Sequence, residues 1–286
     1  MILNGKEIAA QLRQELKEKV EALDKRPPCL AVLLAGEDPA SAIYVGKKIQ
    51  ACEEVGIASI CKKLPASISE EALLEEIDTL NGDSSVDGIL VQLPLPGKIS
   101  EERVMERILP EKDVDGFHPV NLGKLLTGRD DGLVPCTPLG ISRLLEHAEV
   151  ETAGKNALIL GRSAIVGKPM AALLMRRGKG GDATVTVAHS KTKNLPALCQ
   201  TADILIAAIG IPRFVKPEMV REGAVVIDVG INRVEAPENK KGYRIVGDVD
   251  YEAVREKCRL ITPVPGGVGP MTIAMLLHNT WQCFRY

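Results

Sequence analysis

Tyr44 and Lys48 stand four residues apart in PASAIYVGKKIQACEEVGI, so a helix places them on one face. Ala51, Cys52 and Val55 supply small apolar neighbours. The tyrosine offers a flat ring, and the lysine beside it a proton or a cation. Partial shielding from water lowers a lysine's pKa and equips it for acid–base work near neutrality. On spacing alone, the more ordinary reading is a surface helix with a half-buried tyrosine. Gln92 lies in VDGILVQLPLP, at the end of a run that is apolar apart from Asp87. A buried amide needs partners for its donor and its acceptor, and beside a lysine it would orient and tune it. Asp113 and Asp115 in KDVDG could bind a metal, but the other ligands of a calcium loop are missing. A single carboxylate accepting from an amidine-like N–H pair is the better functional reading, and an Asp-Gly turn the plain one.

A second constellation is glycine-rich. GRSAIVGKP (161–169) follows the apolar run NALIL and opens a helix. Such a turn points backbone N–H groups and the positive end of a helix outward, and glycine lets a pyrophosphate approach. Pro169 fits the first helical turn. A phosphate-binding P-loop fails twice, because five residues separate Gly161 from Gly167 and Pro169 follows Lys168. The G-x-G-x-x-G fingerprint fails at Ser163. From the turn alone, an ordinary β–α connection and a dinucleotide site are equally good readings. The end of the next strand favours the second. NAD enzymes place a carboxylate there, ~20 residues past the turn; this chain has His189-Ser190-Lys191-Thr192-Lys193. A hydroxyl, two lysines and Arg162 suit a 2′-phosphate, which favours NADP, although surface lysines are commonplace.

The elements that must position these residues alternate. Residues 5–24 carry Ile8, Leu12, Leu16, Val20 and Leu23 at helical spacing. Strands are expected at 29–36, 57–63 and 86–96, and helices from Asp38-Pro39 to about Val55, at 69–80 and at 100–109. Residues 110–138, rich in Gly, Pro and Asp, read as a crossing between domains, after which Thr137 caps a helix with Pro138 at its first position. Strands at 156–160, 183–189, 203–209 and 224–229, a helix at 170–177 and a terminal helix after the glycine turn at 265–269 complete the pattern. Strand–helix alternation predicts an α/β fold with parallel sheets.

Bulk properties narrow the function. Aromatic residues make up 3% of the 286 and the formal charge is −2, which argues against stacking on single strands and against attraction to nucleic acid or an acidic membrane. No signal-peptide pattern opens the chain, and no apolar run approaches the ~18 residues of a membrane span. The seven cysteines include no C-x-x-C pair and read as free thiols of a reducing cytoplasm; the four histidines are isolated, so no metal is expected. Trp281, Phe284 and Tyr286 are expected to pack the last helix.

Together the segments YVGKKIQACEEVGI, DGILVQLPLP, PEKDVDGFHP, PCTP, GRSAIVGKP, TVTVAHSKT, DVGIN, GDVD and TPVPGGVGPMT resemble one family: the bifunctional methylenetetrahydrofolate dehydrogenase/methenyltetrahydrofolate cyclohydrolases. They occur in the family's order and span nearly the whole chain. The resemblance implies an α/β substrate domain, 1–138 with the returning C-terminal segment 265–286, and a Rossmann-type NADP-binding domain, 139–264. It implies a cytoplasmic homodimer serving one-carbon metabolism and purine biosynthesis, with tetrahydrofolate substrates bound in the cleft between domains. Tyr44 would stack on the folate, Lys48 act as acid and base, Gln92 set the lysine's protonation and Asp115 anchor the pterin edge. Pro265, Gly266 and Gly269 would border the folate. Gly161, Arg162, Ser163, Gly167 and Ser190 would hold the NADP phosphates, and Ile231 and Thr272 the nicotinamide end. Ala188 replaces a cysteine frequent in relatives. Another NADP-dependent oxidoreductase, acting on an amino acid or a shikimate-like substrate, needs the nucleotide half but not Tyr44, Gln92 and Asp115 together. A non-catalytic folate or nucleotide binder has no need of Lys48.

Overall fold

A computed structural model describes residues 1–239 and 242–285; Tyr286 lies outside them. The chain forms two compact units, each an α/β structure.

One unit joins Ala10–Cys136 to the chain from Ile273 onward. Its parallel sheet has strand Cys29–Ala35 at the centre, flanked by Ala58–Leu64 and Gly88–Val91. Every residue of CLAVLLA is buried, which is why that strand reads as an unbroken apolar run. Helix Pro39–Val55 starts where the Asp38 carboxylate accepts from Ser41 N at 2.7 Å, and ends on Gly56 at φ 77°. Helix Glu70–Gly82 is capped by Ser69 and buries Leu73, Ile77 and Leu80 on one stripe. That stripe packs with Leu33, Ile89 and Val104 in an aliphatic core, each such side chain contributing roughly 1.5–3 kcal/mol. Lys112 Nζ donates to the carbonyls of Leu80, Asn81 and Asp83, closing the end of this helix. Near the C-terminus, the Trp281 and Phe284 ring centroids lie 5.9 Å apart.

The other unit joins Met1–Ala9 to Thr137–Thr272. Five parallel strands lie in the order Leu260–Ile261, Val225–Asp228, Ile204–Ala207, Asn156–Leu160, Thr184–Ala188. The chain winds outward in both directions from Asn156–Leu160, the Rossmann-type, doubly wound arrangement whose ligand crevice lies at the carboxyl ends of the strands. Helix Gly167–Met175 follows the glycine turn and buries Met170, Leu173 and Leu174. Leu3 N donates to Ile261 O at 2.8 Å, which ties the first residues to the edge of this sheet.

Four expectations are corrected. Residues 110–138 are more than a crossing: they contain helix Pro119–Leu126, whose first turn is capped by His118 Nδ1 accepting from Val120 N. The following helix, Cys136–His147, already includes Thr137, so Thr137 is not its N-cap; its hydroxyl meets Thr272 Oγ1 at 3.0 Å. The strand expected at 86–96 stops at Val91, because prolines at 94 and 96 cannot donate to a ladder. An antiparallel hairpin, Asn232–Glu235 with Tyr243–Val246, was not expected from the alternation.

Candidate active site

Lys48 and Gln92 meet. Gln92 N donates to Leu33 O at 2.9 Å, which fixes the residue one step beyond its strand. Its Nε2 donates to Leu93 O at 2.6 Å, so Oε1 faces the helix and accepts from Lys48 Nζ at 3.0 Å. The amide is thereby committed at both ends, and Lys48 Nζ makes no second hydrogen bond among the described residues. Tyr44 is 40% exposed, and Lys47 Nζ lies 5.8 Å from its ring centroid. The tyrosine therefore presents a largely open surface on the same helix.

Asp113 and Asp115 divide the work of KDVDG. Asp113 is buried and accepts from Gly116 N, His118 N and Asn121 Nδ2. Gly116 has φ 75°, and a Cβ there would sit 2.6 Å from Pro135 N. Asn279 Nδ2 donates to Val114 O at 2.8 Å and Val134 O at 2.9 Å, pinning the loop from the C-terminal helix. Within this frame the Asp115 carboxyl receives no hydrogen bond among the described residues. Burial pushes it up to about 6, with Lys48 pulling it down and Asp113 pushing it further up. A carboxylate held so, close enough to Lys48 to feel its charge, can take a pair of N–H donors.

The glycine turn is equally constrained. Gly161 has φ 116°, and a Cβ there would lie 2.2 Å from Ala208 O; at Gly167 it would lie 2.2 Å from Gly161 O. Ser163 Oγ accepts from Val166 N at 3.1 Å and more weakly from Gly167 N at 3.4 Å. Arg162 and Ser163 are exposed on the turn, and Ser190, Lys191 and Lys193 are exposed just after strand Thr184–Ala188. The backbone cradle and a positive rim without a carboxylate fit a dinucleotide bearing a 2′-phosphate. Ile231 is 52% exposed. Pro265 follows a cis bond from Val264, Gly266 has φ 109°, and a Cβ on Gly269 would meet nothing within 4 Å. Among the described residues, no group of three or more His, Cys, Asp or Glu is arranged to hold a metal ion. A cavity of about 420 Å³ opens where strands Ile204–Ala207 and Val225–Asp228 begin, lined by Lys155, Asp203 and Arg221. None of the candidate site residues lines it.

Sequence reasoning passed over three positions. Asn279 left no local signal, being one polar residue in MLLHNTW. Asp228 and Asp248 did leave one, since each stands in a motif with glycine, DVGIN and GDVD, where a carboxylate can collect close backbone N–H groups. Burial pushes Asp228 up to about 6 despite the N–H groups of Val249, Asp248 and Gly230, with Asp248 adding to the rise.

These features define a two-domain α/β protein with a glycine turn shaped to accept a phosphate in one domain and a lysine–amide–carboxylate group in the other. Residues 3–115 match the family model described as tetrahydrofolate dehydrogenase/cyclohydrolase, catalytic domain, and residues 135–286 its NAD(P)-binding domain. A protein of Protochlamydia amoebophila named bifunctional protein FolD is 59% identical over 98% of this chain and 96% of its own. The crystal structure of the bifunctional FolD methylenetetrahydrofolate dehydrogenase/cyclohydrolase from Campylobacter jejuni is similar at 49% identity and a TM-score of 0.94, covering 100% of this chain and 99% of that one. The Trypanosoma brucei enzyme, solved with NADP cofactor and inhibitor, is 39% identical with a TM-score of 0.94, covering 100% and 97%. The chain belongs to the tetrahydrofolate dehydrogenase/cyclohydrolase family.

Proposed function

We propose that this chain oxidises 5,10-methylenetetrahydrofolate to the 5,10-methenyl cation with NADP⁺ and hydrolyses that cation to 10-formyltetrahydrofolate. The observation that carries the reading is the pairing of Lys48 Nζ with Gln92 at 3.0 Å, beside an Asp115 carboxyl left open for a ligand. Asp115 accepts from the amino-pyrimidine edge of the pterin, and Tyr44 lies against its ring face. When bound, NADP⁺ supplies a hydride acceptor, and the protein's share of that step is alignment. Gly161, Arg162, Ser163, Gly167 and Ser190 hold the phosphates; Ile231 and Thr272 flank the nicotinamide end; Pro265, Gly266 and Gly269 border the folate. In the second step water adds to the methenyl carbon. Lys48 takes the proton released there and returns it to the ring nitrogen as its bond to that carbon breaks, while the remaining hydroxyl proton leaves to solvent and the carbonyl forms. Gln92 orients the Lys48 amino group by accepting from it.

On this reading residues 1–138 with 265–286 form the folate domain and 139–264 the NADP domain. A homodimer and a cytoplasmic location rest on the family resemblance, and the net charge of −2 supports no nucleic-acid partner. Among the described residues no helix is long and apolar enough to cross a membrane. The test is to add methylenetetrahydrofolate and NADP⁺ and follow NADPH and methenyl absorbance. Appearance of NADPH with transient methenyl is expected; no change in either refutes the proposal.

A further inference from the structure

Two buried carboxylates organise the carboxyl ends of the nucleotide-domain strands. Asp228 is 2% exposed and Asp248 0%. Asp228 Oδ1 accepts from Gly230 N at 3.0 Å and Asp248 N at 2.8 Å, and Oδ2 from Val249 N at 2.9 Å. Asp248 Oδ2 accepts from Ile209 N at 2.7 Å and Gly210 N at 3.0 Å, and Oδ1 from Asn232 Nδ2 at 2.9 Å. Three separate segments are tied together: 209–210 after strand Ile204–Ala207, 230–232 after Val225–Asp228, and 247–249 after the hairpin. The approach is as close as glycine permits. A Cβ on Gly230 would lie 2.3 Å from Asp248 Oδ1, and one on Gly247 would lie 1.8 Å from Asp228 Oδ2. No lysine or arginine pairs with either carboxylate among the described residues. Their charges are held by N–H dipoles alone, an arrangement that costs stability and gains geometric definition.

We propose that Asp228 and Asp248 are positioning residues for the dehydrogenase reaction, fixing the loops on which Ile231 stands so that the nicotinamide end of NADP⁺ finds a preformed seat. The inference rests on the proposed activity. It assigns these residues to one of the two reactions, because hydrolysis of the methenyl cation uses no nucleotide. The chemistry also ranks the two. Both oxygens of Asp228 face backbone N–H groups, so Asp228→Asn points an amide N–H at a donor in either orientation. Asp248 has one oxygen on a side-chain amide, and Asp248→Asn can be accommodated by turning Asn232.

The experiment compares wild type, D228N, D248N and Asn232→Ala. Each is assayed for dehydrogenase KM and kcat against NADP⁺, for hydrolysis of methenyltetrahydrofolate without nucleotide, and for NADP⁺ Kd by calorimetry. Amide hydrogen exchange over 209–210 and 230–232 is measured in the nucleotide-free protein. D228N is expected to raise NADP⁺ KM and Kd at least tenfold and to speed exchange in both loops. Its hydrolysis should stay within twofold of wild type. D248N should change KM less than threefold. An unchanged KM and Kd in D228N, or a parallel loss of both activities, overturns the inference. If D228N does not fold, N232A decides: a rise of threefold or more in KM and Kd at normal hydrolysis supports the inference, and no rise overturns it. A wild type that binds NADP⁺ but catalyses neither reaction refutes the activity, and Kd and exchange still judge the positioning role.

Discussion

Asp115→Asn tests the proposed substrate site most directly, because the raised pKa of its carboxyl ties the effect to a pH dependence. The Asp115 carboxyl has no donor of its own among the described residues, and burial holds it up at about 6. At pH 7 about ten molecules in eleven carry the carboxylate, and at pH 5 about one in eleven. If the ionised form binds the pterin edge, the wild-type KM for methenyltetrahydrofolate rises about tenfold from pH 7 to pH 5. Replacing it by an amide removes hydrogen bonds to a charged acceptor, worth roughly 1.5–3 kcal/mol, so KM at pH 7 rises about 10- to 150-fold. The pH dependence between 5 and 7 should flatten as well. Stability provides the control, and its sign is opposite. The folded pKa lies above the unfolded value of 3.8, so the native state binds the proton more tightly and loses stability as pH climbs from about 4 to about 6. The asparagine variant escapes that loss and should be at least as stable as wild type at pH 7. The assay is initial rates of methenyl absorbance decay at pH 5, 6 and 7 without nucleotide, beside urea unfolding. A variant that keeps the tenfold pH dependence places the titrating group elsewhere. A variant with unchanged KM removes Asp115 from substrate binding.

Lys48→Met should lower methenyl hydrolysis at least about 100-fold, the usual weight of a positioned acid–base group; normal turnover would take Lys48 out of the mechanism. Gly161→Ala forces a Cβ to 2.2 Å from Ala208 O at φ 116°, so NADP⁺ binding measured by calorimetry should weaken at least tenfold while nucleotide-free hydrolysis persists. Equal NADP⁺ affinity would show that the turn does not carry the pyrophosphate. Lys112→Met deprives the carbonyls of Leu80, Asn81 and Asp83 of their shared donor and should cost about 2–3 kcal/mol in urea unfolding, against no change if water replaces it freely.

Much of the fold is written locally. Asp38-Pro39 and Gly56 bracket a helix that runs Pro39–Val55, and NALIL is strand Asn156–Leu160 to the residue. Both are set by caps and apolar runs that need no tertiary information. The errors fall where distant partners decide. Residues 110–138 look like linker because Gly, Pro and Asp dominate them, yet Asp113 spends its carboxylate on Gly116, His118 and Asn121 and makes an ordered support of the loop. The strands Asn232–Glu235 and Tyr243–Val246 are separated in sequence by APENKKG, which carries no Asn-Gly or Asp-Gly pair to signal their pairing. At the site, Lys48 and Gln92 could be suspected separately from their types, but their contact spans 44 positions of sequence and needs the sheet register to bring it about. Asp228 lies in an expected strand and Asp248 in the GDVD motif, and neither shows its role until three segments are seen to converge on them.

The tie between the first residues and the edge strand bears on how the protein is made. Leu3 N waits for Ile261 O, and Lys6 N for Gly266 O. At a synthesis rate of roughly 5–20 residues per second, Leu3 spends about 13–50 s without the Ile261 carbonyl that will hold it. The nucleotide domain cannot seal its sheet edge until Ile261 has been made, whereas Cys29–Ala35 can pair with Ala58–Leu64 and Gly88–Val91 long before. Translation therefore leaves Leu3 and Lys6 unmatched while the sheet of the other unit can already assemble.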